Sequence, residues 1–330
     1  MIMATRYVLI DFMHLVFKTY ACTPMSTTVR GVDGTLHTVN TTIQTLVLKN
    51  IWRYSGKGKY PTAVCLEGGS PTRKAYFQSL QAQKKDGSSA PIEYKANRGY
   101  LRSEVSEGIN DTVDRLHKSG VSLYCEPGFE ADDYVYTLVQ MLKRAGITDP
   151  IDVITNDRDL LPLVNDQVSV YIKCSRQYNE EGCPSLTGYF QVTPASWDMY
   201  IGYASEYKGY KLPYNSVLLY KMLHGDTSDN IPALVKGFGP KTLTNKVETM
   251  LTAQVHFEEM FRYGRSKWEK YPEFLGYFFT ADEVDGMMKI YKGIDLMEIV
   301  PENGTLKLPH CIEYGKLAQT ASELQINIPV

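Results

Sequence analysis

The strongest constraint on this chain is a pattern in its first half, where short runs rich in β-branched residues each lead to an acid. Tyr7-Val8-Leu9-Ile10 ends at Asp11, Thr62-Ala63-Val64-Cys65-Leu66 ends at Glu67, and Ile151-Asp152-Val153-Ile154-Thr155 leads to Asp157. A fourth run, Val121-Ser122-Leu123-Tyr124, passes through the turn Pro127-Gly128 to Glu130-Ala131-Asp132-Asp133 at a helix start. Between the runs, apolar residues recur at helical spacing: Ile43, Leu46, Val47 and Ile51, then Val135, Leu138, Val139 and Leu142. Strands of this length separated by helices predict an α/β fold with a central, mostly parallel sheet. In such sheets ligand-binding groups gather beyond the carboxyl ends of the strands. The acids are therefore expected along one edge, joined by Asp159 and by Asp226 and Asp229 of Gly225-Asp226-Thr227-Ser228-Asp229-Asn230.

Each acid alone has an ordinary role as a turn former or a partner of a helix N-terminal dipole. Gathered together they do not. Two carboxylates about 5 Å apart repel by roughly 3 kcal/mol at an effective dielectric near 20. Protonation or bound cations must relieve that repulsion. Oxygen ligands without His or Cys select hard cations, Mg²⁺ first and Mn²⁺ second. Two such ions can activate a water and stabilise the leaving oxygen of a phosphodiester.

Composition narrows the classes. The six cysteines (Cys22, Cys65, Cys125, Cys174, Cys183, Cys311) form no C-x-x-C pair, which disfavours zinc and fits free thiols in a reducing compartment. No signal pattern opens the chain and no apolar run is long enough to cross a membrane, so a soluble, cytoplasmic protein is expected (host cytoplasm if viral). Asp11-Phe12-Met13 lacks a paired-aspartate phosphatase motif, no Gly-rich loop follows the first strand, and the six His sit in no nucleophile motif. A net charge of -2 does not point to nucleic acid by itself, but the charge is segregated. From Arg73 to Arg102 there are seven Lys or Arg against two Asp or Glu, with Tyr76, Phe77, Tyr94 and Tyr100 interleaved. Its middle, 84–91, is polar and loop-like, so the stretch is expected as a mobile insertion rather than core.

These blocks, in this order, resemble the flap endonuclease family. Ile10-Asp11, Phe129-Glu130-Ala131-Asp132-Asp133, Thr155-Asn156-Asp157-Arg158-Asp159 and Gly225-Asp226-Thr227-Ser228-Asp229-Asn230-Ile231-Pro232 carry the likeness. It is nearest to stand-alone bacteriophage 5′ nucleases and the 5′-nuclease domain of bacterial DNA polymerase I. The resemblance implies a PIN-like fold with two Mg²⁺ positions, at which Mn²⁺ can substitute. Asp11, Glu67, Glu130, Asp132 and Asp157 would surround the first ion; Asp159, Asp226 and Asp229 would complete the second, with Asp133 nearby. Glu67 stands where the family usually has Asp. Tyr94-Lys95-Ala96-Asn97-Arg98 looks like the block opening the second part of the family's helical arch, so Lys95 and Arg98 would contact the scissile phosphate, with Arg102 adding charge. Tyr94 would stack on a nucleobase. Gly237-Phe238-Gly239-Pro240-Lys241-Thr242 resembles the family's helix-three-turn-helix, whose backbone and Lys241 and Thr242 would hold duplex DNA without reading sequence. The family often binds K⁺ there.

The expected organisation is an α/β nuclease core over 1–175 with an arch insertion at about 70–110. A connecting and helix-three-turn-helix part over 176–265 and a helical extension over 266–330 follow. The expected activity is cleavage of flaps, nicks and RNA-primer ends in DNA by a monomer working beside a single-strand-binding protein, clamp or polymerase. A PIN-type ribonuclease would lack the duplex-holding motif, and a non-catalytic junction binder would not need the acids.

Overall fold

The computed structural model describes residues 6–22, 26–30, 36–40, 43–83, 89–96, 103–174, 188–204, 217, 221, 224–233, 241–242, 245, 279–294, 296–299 and 306–323. Four of the six strands in its main sheet are the four runs read above: β1 (Tyr7–Asp11), β4 (Thr62–Cys65), β7 (Ser122–Tyr124) and β8 (Ile151–Thr155). β9 (Val168–Lys173) and β10 (Tyr189–Val192) complete the order β10-β9-β8-β1-β4-β7. All neighbours pair in parallel except β10 with β9. β1 sits between β4 and β8, in register Val8↔Thr62 on one side and Val8↔Asp152 on the other. The chain steps outward from β1 through β4 to β7, then returns to the far side of β1 with β8. That reversal makes the carboxyl ends of β1 and β8 the switch point of the sheet, where α/β folds bind ligands.

Helices cover both faces, so β4 and β8 are buried throughout and largely apolar, with Asp152 of β8 paired to Arg6. Along β1 the side chains alternate. Leu9 packs into a core with Tyr134, Leu138 and Leu142 of α5 (Ala131–Arg144) and Met287 and Ile290 of helix Ala281–Ile294. Val8 and Ile10 pack into the opposite core, with Leu15 of α1 (Phe12–Cys22), Leu48 and Ile51 of α2 (Ile43–Tyr54) and Leu116 of α4 (Ser103–Lys118). Two small antiparallel hairpins, β2–β3 (Ser26–Arg30, Leu36–Asn40) and β5–β6 (Gln81–Gln83, Ser89–Pro91), stand apart from the main sheet.

The structure departs from the sequence reading in two places. Ser89–Pro91 form a strand, and much of the expected mobile insertion belongs to the core. Phe77 of α3 (Pro71–Ser79) is fully buried, Ile92 and Tyr94 are buried too, and Phe77 and Tyr94 stack at 4.8 Å. A Cβ on Gly293 would lie 2.4 Å from the Phe77 ring, so glycine is what lets helix Ala281–Ile294 close on α3. Described residues between 279 and 323 also pack into the two cores. Thr62 N donates to His310 O (3.1 Å), Tyr124 OH donates to Lys307 O (2.7 Å), and Ile312 and Leu317 are buried. Among the described residues no helix is long and apolar enough to cross a membrane.

Candidate metal centre

Beyond the carboxyl edge of the sheet lies a cleft of about 550 Å³, lined among others by Asp11, Glu67, Asp157, Asp159, Lys221 and Asp226. Thr155, the last residue of β8, organises its floor. Its hydroxyl donates to Asp11 Oδ2 (2.8 Å) and accepts from Asp157 N (2.9 Å). Asp11 Oδ1 also accepts from His14 N (3.1 Å), which ties the strand end to the start of α1. Asp157 caps the short 3-10 helix Arg158–Leu163 by accepting from Asp159 N (2.9 Å). Burial raises the Asp11 carboxyl, against the His14 and Thr155 hydrogen bonds. It raises Asp157 as well, where Lys221 opposes the shift and Asp11 and Asp229 add to it.

A second group of acids opens α5. Asp133 at the third helical position accepts from Glu130 N (3.1 Å), a reciprocal cap of the kind that fixes a helix start. Asp133 is fully buried and also accepts from Arg73 Nη2 (2.6 Å) and Met297 N (2.7 Å). Arg73, 4% exposed, pairs with Glu130 as well and lies 3.6 Å from Asp132 Oδ1. Lys95 Nζ pairs with the other Glu130 oxygen. Burial works against charge on Glu130, but Lys95 and Arg73 outweigh it and hold the carboxyl below its usual range. Asp132 is driven well above its own: burial leads, Arg73 opposes, and Asp133, Glu130 and Asp157 add repulsion.

The third group sits on the loop 225–231. Asp226 and Ile231 form a two-residue bridge, with Asp226 N donating to Ile231 O (2.9 Å) and Ile231 N to Asp226 O (2.8 Å). Asp226 Oδ1 accepts from Ser228 N (2.7 Å) and Ser228 Oγ (2.5 Å). Lys221 Nζ pairs with Asp159 and lies 2.9 Å from Asp226 Oδ2 and 3.6 Å from Asp229 Oδ2. Burial pushes Asp159 up to about 6 against Lys221, with Asp157 adding to the rise. For Asp226 burial is outweighed by Lys221 and Ser228, which hold it down to about 2. The loop also fixes Lys95: Lys95 N donates to Asp229 O (2.8 Å), Asn230 Nδ2 donates to Glu93 O (2.7 Å), and Lys95 itself is left-handed at φ 57.

Gly225 makes this loop possible. At φ 77 it is in the left-handed region, and a Cβ there would lie 2.5 Å from Ile231 O and 2.6 Å from Ala233 N. Gly225→Ala is expected to lower stability by about 2–4 kcal/mol, combining left-handed strain with overpacking against backbone. Urea unfolding of the variant checks this, and an unchanged midpoint would contradict it.

Residues 6–188 match the family described as 5'-3' exonuclease, N-terminal resolvase-like domain, which is more than half of the 330 residues. The chain belongs to this family. DNA polymerase I of Mycobacterium tuberculosis (strain ATCC 25618 / H37Rv) is 35% identical over 150 residues, covering 46% of this chain and 14% of the polymerase. A 5'-3' exonuclease of Mycoplasma pneumoniae is 29% identical over 154 residues, covering 45% of this chain and 44% of that protein. Among solved structures, the bacteriophage T5 flap endonuclease in complex with DNA and metal ions aligns over 97% of this chain and 98% of its own, at TM-score 0.50 and 14% identity. The T5 5'-exonuclease with bound divalent zinc aligns over 97% and 99%, at TM-score 0.51 and 16% identity. At that identity the likeness speaks for the fold: this 5'-3' exonuclease family member has the mostly parallel α/β fold of the T5 flap endonuclease.

The structure thus brings the predicted acids to one edge, with Glu67 the exposed one at the cleft rim. Among the described residues no three His, Cys, Asp or Glu side chains converge at ligand geometry; Glu130, Asp133, Asp159 and Asp226 are paired with cations instead. Two of those cations, Arg73 and Lys221, went unread as site residues in the sequence. The signal was available: each lies four residues from a buried apolar residue, Arg73 before Phe77 and Lys221 after Val217, so each shares its helix's inner face. Tyr94 corrects the sequence reading. Its ring is 6% exposed and stacked on Phe77, and its hydroxyl points to Glu130 and Asp229 (3.4 Å each), so it serves the core rather than a base. Lys241 and Thr242 are exposed helical residues, while Arg98, Arg102, Gly237 and Gly239 lie outside the described residues.

Proposed function

We propose that this protein is a structure-specific 5′ nuclease, acting as flap endonuclease and 5′-3′ exonuclease on branched, nicked or primer-bearing DNA. The observation that carries the reading is the switch-point cleft, which Asp11, Glu67, Asp157, Asp159 and Asp226 line, with Lys95 near enough to act on Asp11 and Asp132 near enough to act on Asp157. The donor set fits a hard divalent cation. It is all oxygen, and Asp132 Oδ1 is buried with no hydrogen-bond partner. Asp11, Glu67, Glu130, Asp132 and Asp157 would hold one Mg²⁺, and Asp159, Asp226 and Asp229 a second. Asp133, already bonded to Arg73 and two backbone amides, anchors α5 rather than a metal. When bound, the ions supply an activated water and neutralise charge on the leaving oxygen.

The chain's own residues do the rest. Lys95 and Arg98 hold the scissile phosphate and oppose the charge that develops on it. Lys95 suits this work because its backbone is fastened to Asp229, so the phosphate clamp and the acid loop move as one unit. Arg102 at the arch, and Gly237, Gly239, Lys241 and Thr242 at the helix-three-turn-helix with its K⁺, would grip the flanking strands through phosphates. Shape, not sequence, then selects the substrate, since a duplex bends at a nick or junction more readily than when intact. A single-strand-binding protein, clamp or polymerase would deliver such junctions.

Rates on a matched set of substrates test this reading. A 5′-flap duplex, a nicked duplex and an RNA-primed duplex should be cut faster than blunt duplex, leaving 5′-phosphate ends. Faster cleavage of single-stranded RNA than of the flap would overturn it in favour of a PIN-type ribonuclease.

A further inference from the structure

Lys221 is 6% exposed, yet it lines the same cleft as the acids. Its single ammonium pairs with Asp159, lies 2.9 Å from Asp226 and lies 3.6 Å from Asp229. Lys95 is different in kind: its ammonium ion-pairs with one acid, Glu130. Lys221 instead contacts all three acids that the proposed function gives to the second metal ion. A monovalent point charge on a four-carbon stem is suited to this, because it compensates repulsion without fixing ligand geometry.

We infer that Lys221 is a resident counter-cation, which holds Asp159, Asp226 and Asp229 together in the metal-free protein and competes with a divalent ion for them. The inference rests on the metal-centre reading above. Its consequence is reciprocal. The ion must displace the ammonium to reach the same oxygens, so Lys221 weakens metal binding, and metal binding frees Lys221 into the cleft. The protein would then keep its acids in place while free of metal, at a cost in ion affinity that a DNA phosphate entering the cleft would recover by pairing with the released ammonium.

The test is Mn²⁺ binding to the DNA-free protein, measured by calorimetry on the full chain and on Lys221→Met and Lys221→Arg. Lys221→Met should bind the weaker Mn²⁺ at least about fivefold more tightly, within the ordinary range of a coupling between two ligands. Its unfolding midpoint in EDTA should fall, because the three acids lose their counter-charge. Lys221→Arg keeps the charge and should bind Mn²⁺ no more tightly than the parent. Unchanged or weaker Mn²⁺ affinity in Lys221→Met would overturn the inference and leave the metal-centre reading standing. Absence of any Mn²⁺ binding to the parent and to Lys221→Met would overturn both.

A second measurement needs no variant and holds even if Lys221→Met fails to fold. Amine-directed acetylation followed by peptide mass spectrometry should find Lys221 protected in EDTA and modified several-fold more with Mn²⁺. Equal protection in the two conditions would mean that the ammonium stays in place, and would overturn the inference.

Discussion

Asp157→Asn is expected to slow single-turnover cleavage of a 5′-flap duplex by about 10³-fold or more without lowering stability. Metal-borne stabilisation of transition-state charge is worth several kcal/mol, and each 1.4 kcal/mol or so is tenfold in rate. The amide keeps an oxygen to accept from Asp159 N, so the cap on the 3-10 helix survives. It also removes one negative charge from a group in which Asp11 and Asp229 already push the Asp157 carboxyl upward after burial. The metal-free variant should therefore unfold at the parent's midpoint or above it. That pairing separates a site residue from a structural one. A variant that loses stability and activity together would mean that Asp157 is scaffolding; one that retains activity would remove it from the metal set.

Arg73→Met should have the opposite signature, with a loss of about 3–5 kcal/mol in stability, the usual cost of removing one partner from a buried ion pair. Arg73 faces Glu130, Asp132 and Asp133 from a position 4% exposed to solvent. Methionine fills much of the same space but leaves three acids at the start of α5 with less opposing charge. A double-mutant cycle isolates the contact. In an Asp133→Asn background, where one of those acids is neutral, Arg73→Met should cost markedly less. Equal costs in both backgrounds would mean that Arg73 acts through packing, not charge.

Much of this was legible in the sequence, for physical reasons. β1, β4, β7 and β8 are short, largely apolar and buried by helices, so they stand out as runs, and the acids that follow them mark the carboxyl edge. β9 carries similar residues but ends on Lys173 with no acid, and a search anchored on acid-ended runs passes over it. β10 is a four-residue antiparallel edge strand within a Tyr-rich stretch that has no clear period. The site was half legible. Acids at strand ends reveal themselves by position, whereas Arg73 and Lys221 carry only the weaker signal of lying four residues from the buried Phe77 and Val217. Tyr94 misled for a related reason: an aromatic among Lys and Arg suggests stacking on a base, but the Phe77 ring four residues after Arg73 provides the surface it stacks on instead.

The central claim, that this edge of acids is the metal centre of a 5′ nuclease, is tested most directly by incubating the unmodified protein with a 5′-end-labelled flap duplex. With Mg²⁺ the account predicts short labelled products whose length marks the flap junction, none in EDTA, and recovery with Mn²⁺. Tight binding to the flap with no cleavage in either ion would contradict it.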